Sequence, residues 1–149
     1  MAAKRLSRYL PLIIWMAFIS LASTSGFSAG NTSRIIRPLV LWLFPATSEE
    51  TLAIIHFTVR KVAHFVEYAV LGILAARAFT SSSRALITRN WFILSLLLVT
   101  LYALFDELHQ SFEPSRTGSI YDCLIDTLGG LTALLLYKRW RRAEALEDR

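Results

Sequence analysis

Apolar residues gather into four long runs, Tyr9–Phe27, Val62–Phe79, Trp91–Leu108 and Ile120–Tyr137, separated by charged or small-residue segments. A helix needs about 20 mostly apolar residues to cross a hydrocarbon core of about 30 Å, and each run approaches that length. The third is the cleanest, with no charge in WFILSLLLVTLYALF. A helix of a soluble bundle would show polar residues every three or four positions along such a run. The pattern therefore predicts an all-α fold, an integral membrane bundle of four transmembrane helices. The second and fourth runs also carry carboxylates, which lower their hydropathy and mark them chemically.

Between the first two runs lies a long, partly apolar segment, IIRPLVLWLFP followed by TSEETLAIIHF. Its first piece is too short to cross, and Pro38 and Pro45 are expected to limit its helix, so it reads as an interfacial segment. Thr47 or Ser48 ahead of Glu49 and Glu50 is a helix-start signal, so the second crossing should begin there and overhang the bilayer by several turns. The first run, preceded by Lys4, Arg5 and Arg8 and followed by LASTSGFSAG, has some features of a signal peptide. Its apolar stretch is long for a signal core, and the best small-residue site, around Ser28 and Ala29, lies far from its centre. It is therefore expected to remain as the first crossing.

Composition supports a membrane setting. Of the 149 residues 54% are hydrophobic, above the roughly 45–50% of soluble domains. One domain over 1–149 is expected, with a basic cytoplasmic tail from 138 to 149. The net charge of +5 does not imply nucleic acid, because Lys and Arg sit in short clusters beside apolar runs and form no basic face. Lys4, Arg5, Arg8, Arg77, Arg84, Arg89, Lys138, Arg139, Arg141 and Arg142 fall on one side of a four-crossing arrangement. The other side has only Arg34, Arg37, Arg60, Lys61 and Arg116. The positive-inside rule then places both termini in the cytoplasm of a multi-pass protein of the cell (inner) membrane. Cys123 is the single cysteine, which excludes an internal disulfide and a thiolate metal cluster.

Counted along the helices, Glu67, Asp106, Asp122 and Asp126 all fall roughly 5–12 Å below the outer boundary of the hydrocarbon. An ionised carboxylate at the bilayer centre costs about 2.5–3.5 kcal/mol on insertion scales, and less near the interface. On the second crossing Arg60, His64 and Glu67 share a face, as do Lys61, His64 and Tyr68. On the third, Asp106, His109 and Gln110 are expected to share a face, with Glu107 about 100° away. Asp122 and Asp126 share a face of the fourth, beside Cys123 and Thr127. Gly72 and Ala76, with Gly129, Gly130 and Ala133, would let the helices close beneath this layer and leave an outward-facing cup.

Two readings of the layer stand side by side. It is either a structural network, with Arg60, Lys61 and Arg116 offsetting the acids, or a functional site. The cost of keeping ionisable groups in a membrane favours the second. Within a site, His64 or His109 could act near neutral pH, and paired carboxylates could do acid–base work. The histidines and carboxylates could also hold a divalent metal, but no HExxH-type spacing is present and no metal is expected.

The strings RKVAHFVEYAVLG and DELHQSFEPSRTGSIYDCLIDTLGG resemble the VanZ-like family of small bacterial membrane proteins, in order and separation, over about Arg60 to Leu136. The resemblance carries over to Lys61, His64, Glu67, Tyr68, Asp106, Glu107, His109, Gln110, Arg116, Asp122, Asp126 and Gly129. Asp126 departs from the Asn commoner there and adds a negative charge. The resemblance implies a role in the cell envelope, including glycopeptide (teicoplanin) resistance. Two hypotheses follow. In one, His64, Glu67, Asp106 and Asp122 are acid–base groups of an enzyme acting on a lipid-linked or envelope substrate. Arg60, Lys61 and Arg116 then hold an anionic head group, and Tyr68, Glu107, His109, Gln110 and Asp126 complete the binding surface. In the other, the protein is a non-catalytic binding or assembly factor. Cofactor and oligomeric state stay open.

Overall fold

The protein is described by a computed structural model covering residues 2–24, 29–112 and 118–147, with side chains described for 7–24, 32–112 and 118–147. The described residues form six α-helices and no strand: α1 (Ala2–Ala22), α2 (Ala29–Leu43), α3 (Glu49–Thr80), α4 (Ala85–Arg89), α5 (Trp91–Ser111) and α6 (Ile120–Glu147). Among them α3, α5 and α6 are long and apolar enough to cross a membrane, and α1 contains the shorter apolar stretch Ser7–Ala22.

Helix α3 begins where its cap predicts. Ser48 is extended at φ −70 and ψ 156, and its side chain accepts the Thr51 amide at 3.2 Å. Glu49 and Glu50 follow in the first turn, where the helix dipole favours negative charge. At 32 residues the helix is about 48 Å long, well beyond one hydrocarbon thickness. Its outlying N-terminal turns pair with α2, through an Arg37–Glu49 ion pair and a 3.0 Å hydrogen bond between Thr32 and His56 Nε2.

One expectation for the intervening region changes. Pro38 lies inside α2 and does not end it. The carbonyl it leaves without an amide partner, on Arg34, belongs to an exposed stretch of the helix, where water or head groups can serve it. The chain does turn at Pro45, as expected, and the Thr47 hydroxyl donates to the Phe44 carbonyl at 2.6 Å. The first crossing, expected to reach Phe27, is helical only to Ala22, and residues 25–28 lie outside the described residues. Between α3 and α5 the short α4 was not anticipated. The tail expected from residue 138 continues α6 as helix to Glu147, with residues 139–147 exposed.

The buried faces explain the packing. On α5, Ser95, Val99, Ala103, Asp106, Glu107 and Gln110 form one stripe. On α6 the stripe is Cys123, Asp126, Gly129, Gly130, Ala133 and Leu134. Both are apolar or small at one end and acidic at the other. On α3 the buried run Tyr68, Leu71, Gly72, Ala75, Ala76 and Ala78 faces them.

The outward faces are oily. Ile93, Leu97, Leu101 and Phe105 of α5, and Leu124, Leu128 and Leu135 of α6, are all exposed. A continuous apolar exterior of this kind suits a bilayer and would be an aggregation surface in water. The protein is a multi-pass membrane protein with a group of buried polar side chains, Ser23, Ser95, Asp106, Glu107, Gln110 and Asp126, inside it.

Helix α1 is tied to this core by polar groups. The Trp15 indole donates to the Glu67 carbonyl at 2.9 Å, and the Tyr102 hydroxyl meets Ser20 at 2.7 Å and the Met16 carbonyl at 2.5 Å.

Candidate functional site

The acidic ends of the α5 and α6 stripes come together beside α3. Asp126 is 0% exposed, Asp106 2% and Gln110 1%. His64 reaches toward them from α3, and its Nδ1 lies 3.6 Å from Asp126 Oδ1. Ligand-type atoms of His64, Asp106 and Asp126 lie within 4.8 Å of one another. Three helices thus bring an imidazole and two carboxylates to one point inside the membrane-spanning region.

The surroundings of each acid differ. Asp106 Oδ2 accepts from Gln110 Nε2 at 3.0 Å, and the same amide reaches Ser23 Oγ at 3.5 Å. Glu107 Oε2 accepts the Ser119 amide at 2.6 Å, which ties α5 to the start of α6. Asp122 is ion-paired with Lys61. Both Asp126 oxygens, Glu107 Oε1, His64 Nδ1 and the Tyr68 hydroxyl are buried without a hydrogen-bond partner among the described residues.

A cleft of about 140 Å³ opens beside this cluster, lined by Ala22, Ser23, Thr32, Ile36, Val59, Arg60, Ala63, His64 and Glu67. His64 belongs to both places: it forms part of the cleft wall, and its ring faces the buried acids. Ser23 does the same through Gln110, which holds Asp106. The cleft therefore reaches Asp126 through His64, and Asp106 through Ser23 and Gln110.

Among the residues singled out from sequence, Arg60, His64 and Glu67 line the cleft, while Asp106, Asp126 and Gln110 form the deep layer. Tyr68 is wholly buried below His64 in sequence, one turn along α3. Asp122 is paired with Lys61 of α3. The shared face expected for Asp106, His109 and Gln110 is corrected: His109 is exposed and Glu107 is buried. The interior lies on the Gln110 side of Asp106, and at about 100° per residue this brings Glu107 in and carries His109 out. Arg116 lies outside the described residues.

Sequence reasoning missed Ser23, which is buried at the end of α1, and the α2 residues Thr32 and Ile36. A run of small residues such as LASTSG signals close approach in a membrane, but not which helix it approaches.

A family model described as VanZ/LLP1 matches residues 8–141. The chain belongs to the VanZ/LLP1 family. The match runs from Arg8 in α1 to Arg141 in α6, so in this VanZ/LLP1 protein it takes in α1 and α2 as well as the motif-bearing helices. No curated protein and no solved structure matches the chain.

Chemically, the VanZ/LLP1 site combines a cation at a cleft, Arg60, with an imidazole that joins the cleft to buried carboxylates. Such a set can hold an anionic group at Arg60 and offer or accept a proton through His64.

Proposed function

We propose that this VanZ/LLP1 protein spans the cytoplasmic membrane four times, with α1, α3, α5 and α6 as the crossings and both termini in the cytoplasm. Its polar layer then lies in the outer half of the bilayer and takes the anionic head group of a lipid-linked or other envelope substrate. Arg60 holds the head group at the cleft, and His64, Glu67 and Asp106 are the acid–base groups. Teicoplanin tolerance is one phenotype such an activity would produce. The Lys and Arg bias toward the termini and the α4 region supports the orientation. The hydrogen bonds of Trp15 and Tyr102 support α1 as a full member of the bundle.

The observation that carries the reading is the double position of His64, in the cleft wall and against Asp126. A purely structural network has no need of a cleft beside its histidine. The Lys61–Asp122 pair favours a structural role for those two residues alone, as a clasp between α3 and α6. The reading is tested by filling the cleft without touching any charge. Ala63→Phe adds a ring at the exposed cleft wall, so the envelope phenotype should be lost at unchanged membrane abundance. A fully active Ala63→Phe protein would reject the cleft as the substrate's place.

A further inference from the structure

The deep layer poses a question of charge that the head-group reading leaves unanswered. Asp126 is completely buried, and neither of its oxygens has a hydrogen-bond partner among the described residues. Leaving a buried carboxylate in that condition is costly. Its nearest basic neighbour, His64 Nδ1, is also without a hydrogen bond, and at 3.6 Å the two atoms stand farther apart than a hydrogen bond requires. Lys61, the ammonium closest in sequence, is committed to Asp122.

That spacing suits a different partner. Two ligands on a cation with bonds of about 2.0–2.2 Å stand roughly 3–3.6 Å apart. The His64–Asp126 separation already has that size, and Asp106 completes a triangle whose ligand-type atoms are all within 4.8 Å. Small side-chain rotations would close the remainder. We propose that His64, Asp106 and Asp126 bind a single divalent cation of the zinc or manganese type, at the base of the cleft. The inference rests on the reading of the polar layer as a functional site and names what would sit at its centre; with the cation bound, His64 and Asp106 serve as ligands and Glu67, in the cleft wall, remains the acid–base group.

Three features of the donor set support it. One imidazole with two carboxylates is a mixed nitrogen and oxygen set of the kind zinc and manganese accept. Three protein ligands leave coordination positions open, as sites that meet a substrate do. The Gln110 amide holds Asp106 Oδ2 at 3.0 Å, the outer support that ligating carboxylates commonly receive. Because His64 also lines the cleft, the open positions would face the place where an anionic head group enters. The cation would thus assist Arg60 in holding a phosphate-type oxygen. The ligands come from α3, α5 and α6, and so no spacing along the chain announces them.

The test uses the full chain in detergent or nanodiscs, stripped with a chelator and dialysed against zinc or manganese ions alone. The wild type should take up about one equivalent. Asp126→Asn and His64→Gln should each reduce occupancy at least tenfold at the same free metal. Gln110→Leu should weaken binding by about 10–100-fold, and His109→Ala, at the exposed histidine, should leave it unchanged. Should Asp126→Asn fail to accumulate, His64→Gln carries the same comparison. Absence of saturable uptake by the wild type overturns the proposal, as does uptake that survives in both ligand variants. No uptake, together with loss of envelope phenotype in Ala63→Phe at normal abundance, removes the cation and leaves the head-group site standing. Specific uptake with a fully active Ala63→Phe supports the cation and removes the head-group site.

Discussion

Gly129 of α6 lies directly against the Phe65 carbonyl of α3, so close that a Cβ on Gly129 would stand 2.2 Å from the oxygen. One residue on, a Cβ on Gly130 would meet the Val99 side chain at 2.5 Å, and on α3 a Cβ on Gly72 would meet the Gly130 carbonyl at 2.9 Å. Asp126 of α6 reaches His64 of α3 because these glycines let the two backbones touch one turn away. In a bilayer, where apolar burial gives little drive, such close packing is the main attraction between helices.

The two α6 glycines should therefore respond differently to a methyl group. Gly129→Ala presses on backbone and should cost about 1–3 kcal/mol or more, seen as a lower unfolding temperature in detergent. Shortening Phe65 should not rescue it, because the clash is with the carbonyl. Gly130→Ala presses first on a side chain, so Val99→Ala in the same protein should recover part of the loss. Equal behaviour of the two double variants would contradict this account of the contact.

The Lys61–Asp122 pair predicts a non-additive cycle. Lys61→Met or Asp122→Asn alone strands its partner, at a cost of about 3–5 kcal/mol for full burial. The side chains here keep 21% and 15% exposure, so a smaller loss is expected. The double substitution should be milder than the sum of the two, measured as unfolding temperature and membrane abundance. Strict additivity would mean that the pair contributes nothing to holding α3 against α6.

Much of this arrangement was legible from residue spacing, and the exceptions share one cause. Helical period alone put Lys61, His64 and Tyr68 on one face, and all three turn inward. Crossing length pointed to one level for the carboxylates, and of the four Asp106 and Asp126 come together at His64. Period does not say which direction is inward when several polar residues are adjacent, and so His109 was expected beside Asp106 where Glu107 lies. Nor does it say which residue across an interface answers which, and Asp122 and Asp126, one turn apart, proved to have separate partners. Ser23 was invisible because its importance comes from Gln110 on a helix 87 residues away in sequence. The helix through Pro38 was misjudged because a proline inside a helix is tolerated where the freed carbonyl stays exposed.

Orientation gives a further prediction. A cytoplasmic reporter fused after Arg142 should be active, and a periplasmic reporter fused there inactive. A cysteine introduced at Phe112, exposed at the acid-bearing end, should react with an impermeant thiol reagent added to intact cells, after Cys123 is replaced by serine. Periplasmic readout at Arg142 would invert the arrangement and put the cleft on the wrong side for an envelope substrate.

The most direct test of the central claim, that the polar layer serves a ligand and is more than a scaffold, is Asp106→Asn scored for phenotype and protein level in the same cells. Asparagine keeps the shape of aspartate and can still accept the Gln110 hydrogen bond, so only the charge is removed. Survival under teicoplanin or another envelope stress should fall to that of cells lacking the protein, while abundance and unfolding temperature stay near wild type. A loss of survival that merely follows a loss of protein would contradict the account.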